Sequence, residues 1–147
     1  MLHYDMVGST LRIPGDNPEE AHNMLRRWRA PAEAAIEKAG GFVVDPEGDG
    51  GLAVFGWPVA HEDHADRACV AAWDLQHQAE TGVPGNRPSG EPIQFRVGVH
   101  SGLVFFSREG GRWRAAGLPV HLATGLQKVA APGSVLISSK TLGLCRN

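Results

Sequence analysis

Two short apolar runs, Phe42 to Val44 and Leu52 to Phe55, flank the turn Pro46-Glu47-Gly48-Asp49-Gly50. Aromatic and β-branched residues on both sides of a glycine-rich turn holding an Asp-Gly pair admit little besides a β-hairpin. Ahead of it, Leu25, Trp28, Ala32, Ala35, Ile36 and Ala39 recur at helical spacing and stop at Gly40-Gly41. Pro31 is expected to kink or divide that helix. Behind the hairpin, the stretch from His61 has acidic residues in its first turn and an apolar stripe of Ala65, Ala68, Cys69, Ala72 and Leu75. Leu2 to Val7 reads as an opening strand, and 81–92 as a Gly/Pro loop. Phe95 to His100 and Leu103 to Phe106 read as two strands paired with each other. Arg108 to Arg114 reads as a polar turn forming a flexible arm, Leu118 to Val129 as a third helix, Val135 to Ile137 as a last strand, and Ser138 to Leu142 as the start of a terminal helix. The expected order is β-α-β-β-α-β-β-α-β. That pattern predicts an α/β (α+β) fold, a mostly antiparallel ferredoxin-like sheet with helices on one face, in a single domain over 1–147.

The 147 residues, 42% of them hydrophobic, suffice for one core without disulfides or metal. Lys plus Arg number 14 against 16 Asp plus Glu, a formal charge of −2, so no basic excess points to nucleic acid or an acidic membrane. No apolar run approaches the roughly 18 residues of a spanning helix, and the N-terminus lacks the pattern of a signal peptide. The expected location is therefore cytoplasmic. Cys69 and Cys145 lie far apart and outside any C-x-x-C pattern, which speaks against a zinc knuckle and a disulfide framework and leaves Cys69 as a small core residue.

Chemistry concentrates at strand ends. Asp5 closes the first strand and is followed by the small-residue turn Gly8-Ser9-Thr10, which sets a carboxylate beside backbone N–H groups open to an anion. Asp49, at the hairpin tip, is presented outward on a neighbouring strand. Singly, Asp49 is explained by turn chemistry and Asp5 by capping. Together they can hold one or two Mg²⁺ or Mn²⁺ ions whose other ligands come from phosphate and water.

The chain here resembles the class III nucleotide cyclases, the adenylate/guanylate cyclase catalytic domain. The matching stretches are YDMVGST (4–10), GGFVVDPEGDGGLAVFG (40–56), PVAHEDHADRA (58–68), FRVGVHSGLV (95–104) and GLPVHLATGLQKVAAPGSVLISSKT (117–141), in the family's order. The resemblance implies that Asp5 and Asp49, with Met6, hold two metal ions, and that Val7, Gly8, Ser9 and Thr10 hold the phosphates of a nucleoside triphosphate. It implies attack of the ribose 3′ oxygen on the α-phosphorus, giving a 3′,5′-cyclic nucleotide and pyrophosphate. It also implies a head-to-tail homodimer with each site at the subunit interface, one chain bringing Asp5, Asp49 and the phosphate turn, the other Asp45, Arg114, His121 and Gly125.

Three departures stand out. Adenine-selective relatives carry a lysine four residues before the hairpin aspartate, where this chain has Asp45. The second base-reading position, usually Asp or Thr, falls on Arg114, through a charge swap with Asp45 or a shifted loop alignment. The family's Asn-x-x-x-Arg on the third helix is replaced by His121 and Gly125. Loss of that cation at the transition state costs about 3 kcal/mol, roughly a hundredfold in rate, unless Arg112, Arg114 or Lys128 compensates. With His121 and Arg114 as remaining catalytic candidates, the alternative reading is an inactive pseudo-cyclase that binds metal and nucleotide and regulates a partner. Family domains also continue into a closing strand pair, for which 144–147 offers no sequence.

Other residues read structurally. His61 and His64 form an H-x-x-H, but similar acidic helix starts in the family have no metal role. His100 reads as a packed strand residue. Trp28, Trp57 and Trp73 are expected in core or interface, and Trp113 exposed on the polar arm.

Overall fold

A computed structural model describes residues 1–9, 17–81 and 93–146. Its elements run β1 (Leu2–Met6), α1 (Pro18–Lys38), β2 (Phe42–Glu47), β3 (Gly50–Val54), α2 (His64–Thr81), β4 (Phe95–Val99), β5 (Phe105–Glu109), β6 (Arg112–Ala116), α3 (Leu118–Val129), β7 (Val135–Ile137) and α4 (Ser139–Leu142). Five strands form one sheet in the order β2-β3-β1-β4-β7, antiparallel throughout except for the parallel pair β4–β7. The α/β, mostly antiparallel expectation holds.

The main core follows from alternation along β1. Leu2, Tyr4 and Met6 are buried together with Val97 and Val99 of β4, and they pack under Trp28, Ala32, Ala35 and Ile36 of α1 and Ala68, Ala72 and Leu75 of α2. Small alanines let the two helices lie close to each other and to the sheet. α1 begins at Asn17, whose side chain accepts from the backbone N–H of Glu19 and Glu20 at 3.1 and 3.3 Å. It does not divide at Pro31. The buried residues on either side of the proline hold the helix across the missing hydrogen bond.

Three local expectations change. The helices do not share one face: α1 and α2 cover the Leu2–Tyr4–Met6 face, and α3 lies across the other. The reason is Gly98, which pairs with His3 in the β1–β4 ladder. A Cβ there would run into the Ala123 carbonyl oxygen and the Gln127 backbone nitrogen, so the glycine lets the α3 backbone rest directly on the sheet. Second, 95–100 and 103–106 are not partners. β4 is taken on both edges by β1 and β7, and β5 instead pairs with β6. Third, the polar arm is that hairpin. Gly110 and Gly111 have φ of 56° and 81°, the positive values a tight two-residue turn requires. Trp113 is accordingly not a free arm residue: it packs edge-on against Trp57 at 4.8 Å, and Trp57 stacks on Phe106 at 4.3 Å. Trp73, by contrast, is 63% exposed on α2.

The two cysteines, remote in sequence, come together. Cys69 and Cys145 are free thiols with sulfurs 3.7 Å apart, because the segment after α4 returns to α2. No helix among the described residues is long and apolar enough to cross a membrane.

Candidate active site

Asp5 stands at the end of β1 on the face opposite the main core. Its ladder partners are Gly50 on β3 and Arg96 on β4. A Cβ at Gly50 would be driven into the Tyr4 carbonyl oxygen, so only glycine lets the hairpin tip cross the end of β1 this closely. Asp49 is thereby delivered to Asp5, and their carboxyl groups are within hydrogen-bonding reach.

The electrostatics follow from that contact. Burial and the neighbouring Asp49 charge push the Asp5 carboxyl up to about 6, against the opposing pull of Arg96 and a hydrogen bond from Gln127. Ser9, only 4% exposed, donates its hydroxyl to Asp49. Among the described residues nothing lies within 4 Å of a Cβ built on Gly8, between Asp5 and Ser9.

The remaining turn residues are placed unequally. The Val7 N–H donates to the Gln94 carbonyl at 2.8 Å, so it is not offered to a phosphate as expected; Gly8 and Ser9 form the described part of the turn. Thr10 lies outside the described residues. The Met6 thioether is buried in the main core at 2% exposure, which leaves its backbone carbonyl as its one means of touching a metal.

Asp45 and Arg114 do meet. Arg114 Nη1 lies 2.5 Å from Asp45 Oδ2, so the two positions expected to read the base form one ion pair within the chain. A register shift in β2 between Val43 and Asp45 re-aims the aspartate, and the β5–β6 hairpin brings the arginine. Beside Asp45 opens a cavity of about 520 Å³ whose walls include His22, Arg29, Phe42, Arg112 and Trp113, a volume in the range of small-molecule sites.

His121 and Gly125 are not brought to Asp5 of the same chain. They are exposed on the outer face of α3, one turn apart, while Ala123 and Gln127 face the sheet. Among the described residues no group of three or more His, Cys, Asp or Glu side chains could hold a metal ion. His64 Nδ1 lies instead 3.2 Å from the His61 carbonyl, and His100 Nδ1 is 2.9 Å from Ser138 Oγ.

Three site residues escaped the sequence reading: His3, Arg96 and Gln127. Gln127 is 4% exposed beneath α3 and favours the charged forms of both Asp5 and His3. Arg96 Nε is buried with no hydrogen-bond partner among the described residues. The signal available was the i, i+2 spacing of His3 and Asp5, which puts both on one face of β1, and a charged residue within the apolar run of β4.

Comparison with known proteins is consistent with this layout. Adenylate cyclase 1 of Rhizobium meliloti is 27% identical over 150 residues, covering 97% of this chain and 23% of that protein. Guanylate cyclase soluble subunit beta-2 of Rattus norvegicus is 29% identical over 141 residues, covering 94% and 20% respectively. The chain thus spans less than a quarter of the length of these relatives. Among solved structures, the guanylate cyclase domain of RhGC from Catenaria anguillulae in complex with GTP superimposes with a TM-score of 0.86 at 26% identity, covering 97% of this chain and 79% of that one. The guanylyl cyclase Cya2 gives 0.87 at 26%, with 99% and 77% covered. Residues 1–146 match the family described as the adenylate and guanylate cyclase catalytic domain, and to that family the chain belongs.

Proposed function

We propose that this chain converts a nucleoside triphosphate to a 3′,5′-cyclic nucleotide and pyrophosphate, as half of a head-to-tail homodimer using Mg²⁺ or Mn²⁺. The observation that carries this reading is the meeting of Asp5 and Asp49. Burial first, and then the repulsion between two carboxylates pressed together, raise the Asp5 pKa, and a hard divalent cation between them turns that repulsion into attraction. The donor set, two carboxylates at a strand end beside an open turn, fits such ions. When bound, two ions neutralise phosphate charge and make the ribose 3′ hydroxyl a better nucleophile.

The chain's own residues supply the rest. The Gly8–Ser9 backbone presents amides to the phosphates, and Ser9 keeps the Asp49 carboxylate in place. Arg96, beside Asp5, brings a guanidinium to the same end of the sheet. At the base, the Asp45 carboxylate only accepts hydrogen bonds and Arg114 only donates them. Guanine offers the complementary edge, adjacent N1–H and N2–H donors for the carboxylate and O6 and N7 acceptors for the arginine. GTP is therefore the proposed substrate, and Asp45 the residue that disfavours ATP.

The dimer follows from where α3 points. His121 and Gly125 face outward, in the company of exposed Leu118, Leu122 and Val129 on α3 and Leu103 and Phe105 at the β5 end. A second copy seated there buries that apolar surface and completes two equivalent sites. Gly125 favours a second reading, because it leaves the outer face of α3 without the arginine of the family pattern: a chain that binds metal and nucleotide and regulates a partner without turnover.

The test is a product assay with Mn²⁺ and each of ATP, GTP, CTP and UTP, read by mass for cyclic nucleotide, with Asp5→Asn alongside. Cyclic GMP, reduced about a hundredfold or more in the variant, is expected. Absence of any product under conditions where the dimer forms supports the second reading. Unchanged Mn²⁺–nucleotide binding in Asp49→Asn overturns both.

A further inference from the structure

Away from Asp5, the fold brings together two nucleophilic side chains from distant parts of the chain. Cys69 on α2 and Cys145 beyond α4 are 76 positions apart, and their sulfurs lie 3.7 Å from each other. They are the only 2 cysteines in the sequence, so neither thiol has any other cysteine of its own chain to meet. Both are half-buried, and their chain neighbours Val70 and Leu144 are exposed. Cys69 is therefore a surface residue of α2 rather than the small core residue expected from the sequence.

The contact is held from both sides. Arg146 donates its backbone N–H to the Asp66 carboxylate at 3.0 Å and its guanidinium to Glu62 at 3.3 Å, and Asp66 stands one turn before Cys69 on α2. On the other side, the Cys145 thiol donates to the Thr141 carbonyl at 3.4 Å. Thr141 is itself fully buried and bonded through its hydroxyl to Ser101 at 3.1 Å. A disulfide needs its sulfurs about 2.0 Å apart. Side-chain rotation and a small shift of the exposed segment 143–146, which belongs to no strand or helix, bring them there.

We propose that Cys69 and Cys145 are a dithiol–disulfide site, oxidised by a hydroperoxide, whose bond staples the segment after α4 to α2. The proposal is independent of the cyclase reading. Burial, and then the hydrogen bond and charge of Cys145, push the Cys69 thiol up to about 12, so Cys69 stays protonated and Cys145 is the sulfur that meets the oxidant. The Cys145 thiolate, its proton released to solvent, takes one oxygen of hydrogen peroxide to become a sulfenic acid. The O–O bond breaks, and the departing hydroxide recovers that proton as water. The Cys69 sulfur then attacks the sulfenic sulfur: the S–S bond forms, the S–O bond breaks, and the Cys69 proton leaves with the hydroxide as a second water. The two sulfurs together lose two electrons and the peroxide gains them; an external dithiol reverses the exchange. The ring so closed takes in β4, β5, β6, α3, β7 and α4, and a cross-link over so long a loop restricts the unfolded chain far more than the folded one.

The test treats the full, reduced chain with hydrogen peroxide and reads thiol titre after denaturation, intact mass, a non-reducing gel and the melting temperature. Expected are complete loss of both thiols, a mass lower by two hydrogens, no covalent dimer, reversal by dithiothreitol, and a melting temperature raised by about 5–10 °C in the oxidised chain. Cys69→Ser and Cys145→Ser should show no such rise under the same treatment. Sulfurs that gain oxygen without losing two hydrogens, or that bridge only between chains, overturn the proposal. A disulfide within the chain that leaves the melting temperature unchanged overturns the staple. The wild-type chain alone decides these outcomes, so failure of either serine variant to fold does not blunt them.

Discussion

At the residue scale, Asp5 carries a pH dependence of definite sign. Its carboxyl titrates near 6 in the folded chain and near 4 in an unfolded one, so the folded state binds the extra proton between those values. The stability this proton confers is fully present below the unfolded value and is lost as pH rises through 6. In the metal-free protein, Asp5→Asn removes the loss. The variant should melt at a higher temperature than wild type at pH 8, with the gap narrowing toward pH 4.5; calorimetry across that range measures it, and a gap that widens on acidification contradicts it. Mn²⁺ competes for the same carboxylate, so wild-type affinity should weaken below about pH 6. Asp5 and Asp49 were readable from sequence because each sits in its own local pattern, a strand end and an Asp-Gly turn. Gln127 was not readable. Its meaning depends on which way α3 crosses the sheet, a tertiary fact with no trace in the residues around it. The pairing of Asp45 with Arg114 lay between these cases: both positions were identified, but their contact rests on the bulge in β2 and on a hairpin the sequence reading had taken for an arm.

At the element scale, α3 does two jobs on opposite faces, and each face supports a prediction. On the inner face, Gly98→Ala places a methyl group against α3 backbone that cannot yield. A loss of about 1–3 kcal/mol is expected in urea unfolding. On the outer face, a Cβ at Gly125 meets nothing within 4 Å among the described residues. Gly125→Arg therefore fits, and leaving glycine in a helix interior gains about 1 kcal/mol. Cyclic nucleotide formation should rise about tenfold or more if a transition-state cation is what the site lacks. A more stable variant with unchanged turnover assigns the deficit elsewhere. Segments with one dominant signal were legible: the apolar stripes of α1 and α2, the β2–β3 hairpin, and the β1 alternation. The β5–β6 hairpin was missed because its arginines read as solvent-facing loop. Its aromatic residues, Phe106 and Trp113, meet their partner Trp57 only once the chain has folded back across about 50 residues.

At the scale of the whole molecule, the separation of Asp5 from His121 and Gly125 becomes an argument about assembly. Within one chain Asp5 and Asp49 lie at the end of β1 while His121 and Gly125 are exposed on the outer face of α3, so on the proposed reading one copy holds two halves of different sites. Activity per chain should fall on dilution below the dimer dissociation constant, and a strictly linear dependence on protein concentration excludes the head-to-tail dimer. Mixing supplies the sharper test. Asp5→Asn spoils the metal half and Arg114→Ala the base half, so each variant alone forms dimers with two damaged sites. A mixed dimer regains one wholly wild-type site, because both lesions fall together in the other. With free exchange half the dimers are mixed, and about a quarter of wild-type activity should return on combining the two inactive proteins. If both halves of the site belonged to a single chain, every site in the mixture would keep one lesion and no activity would return.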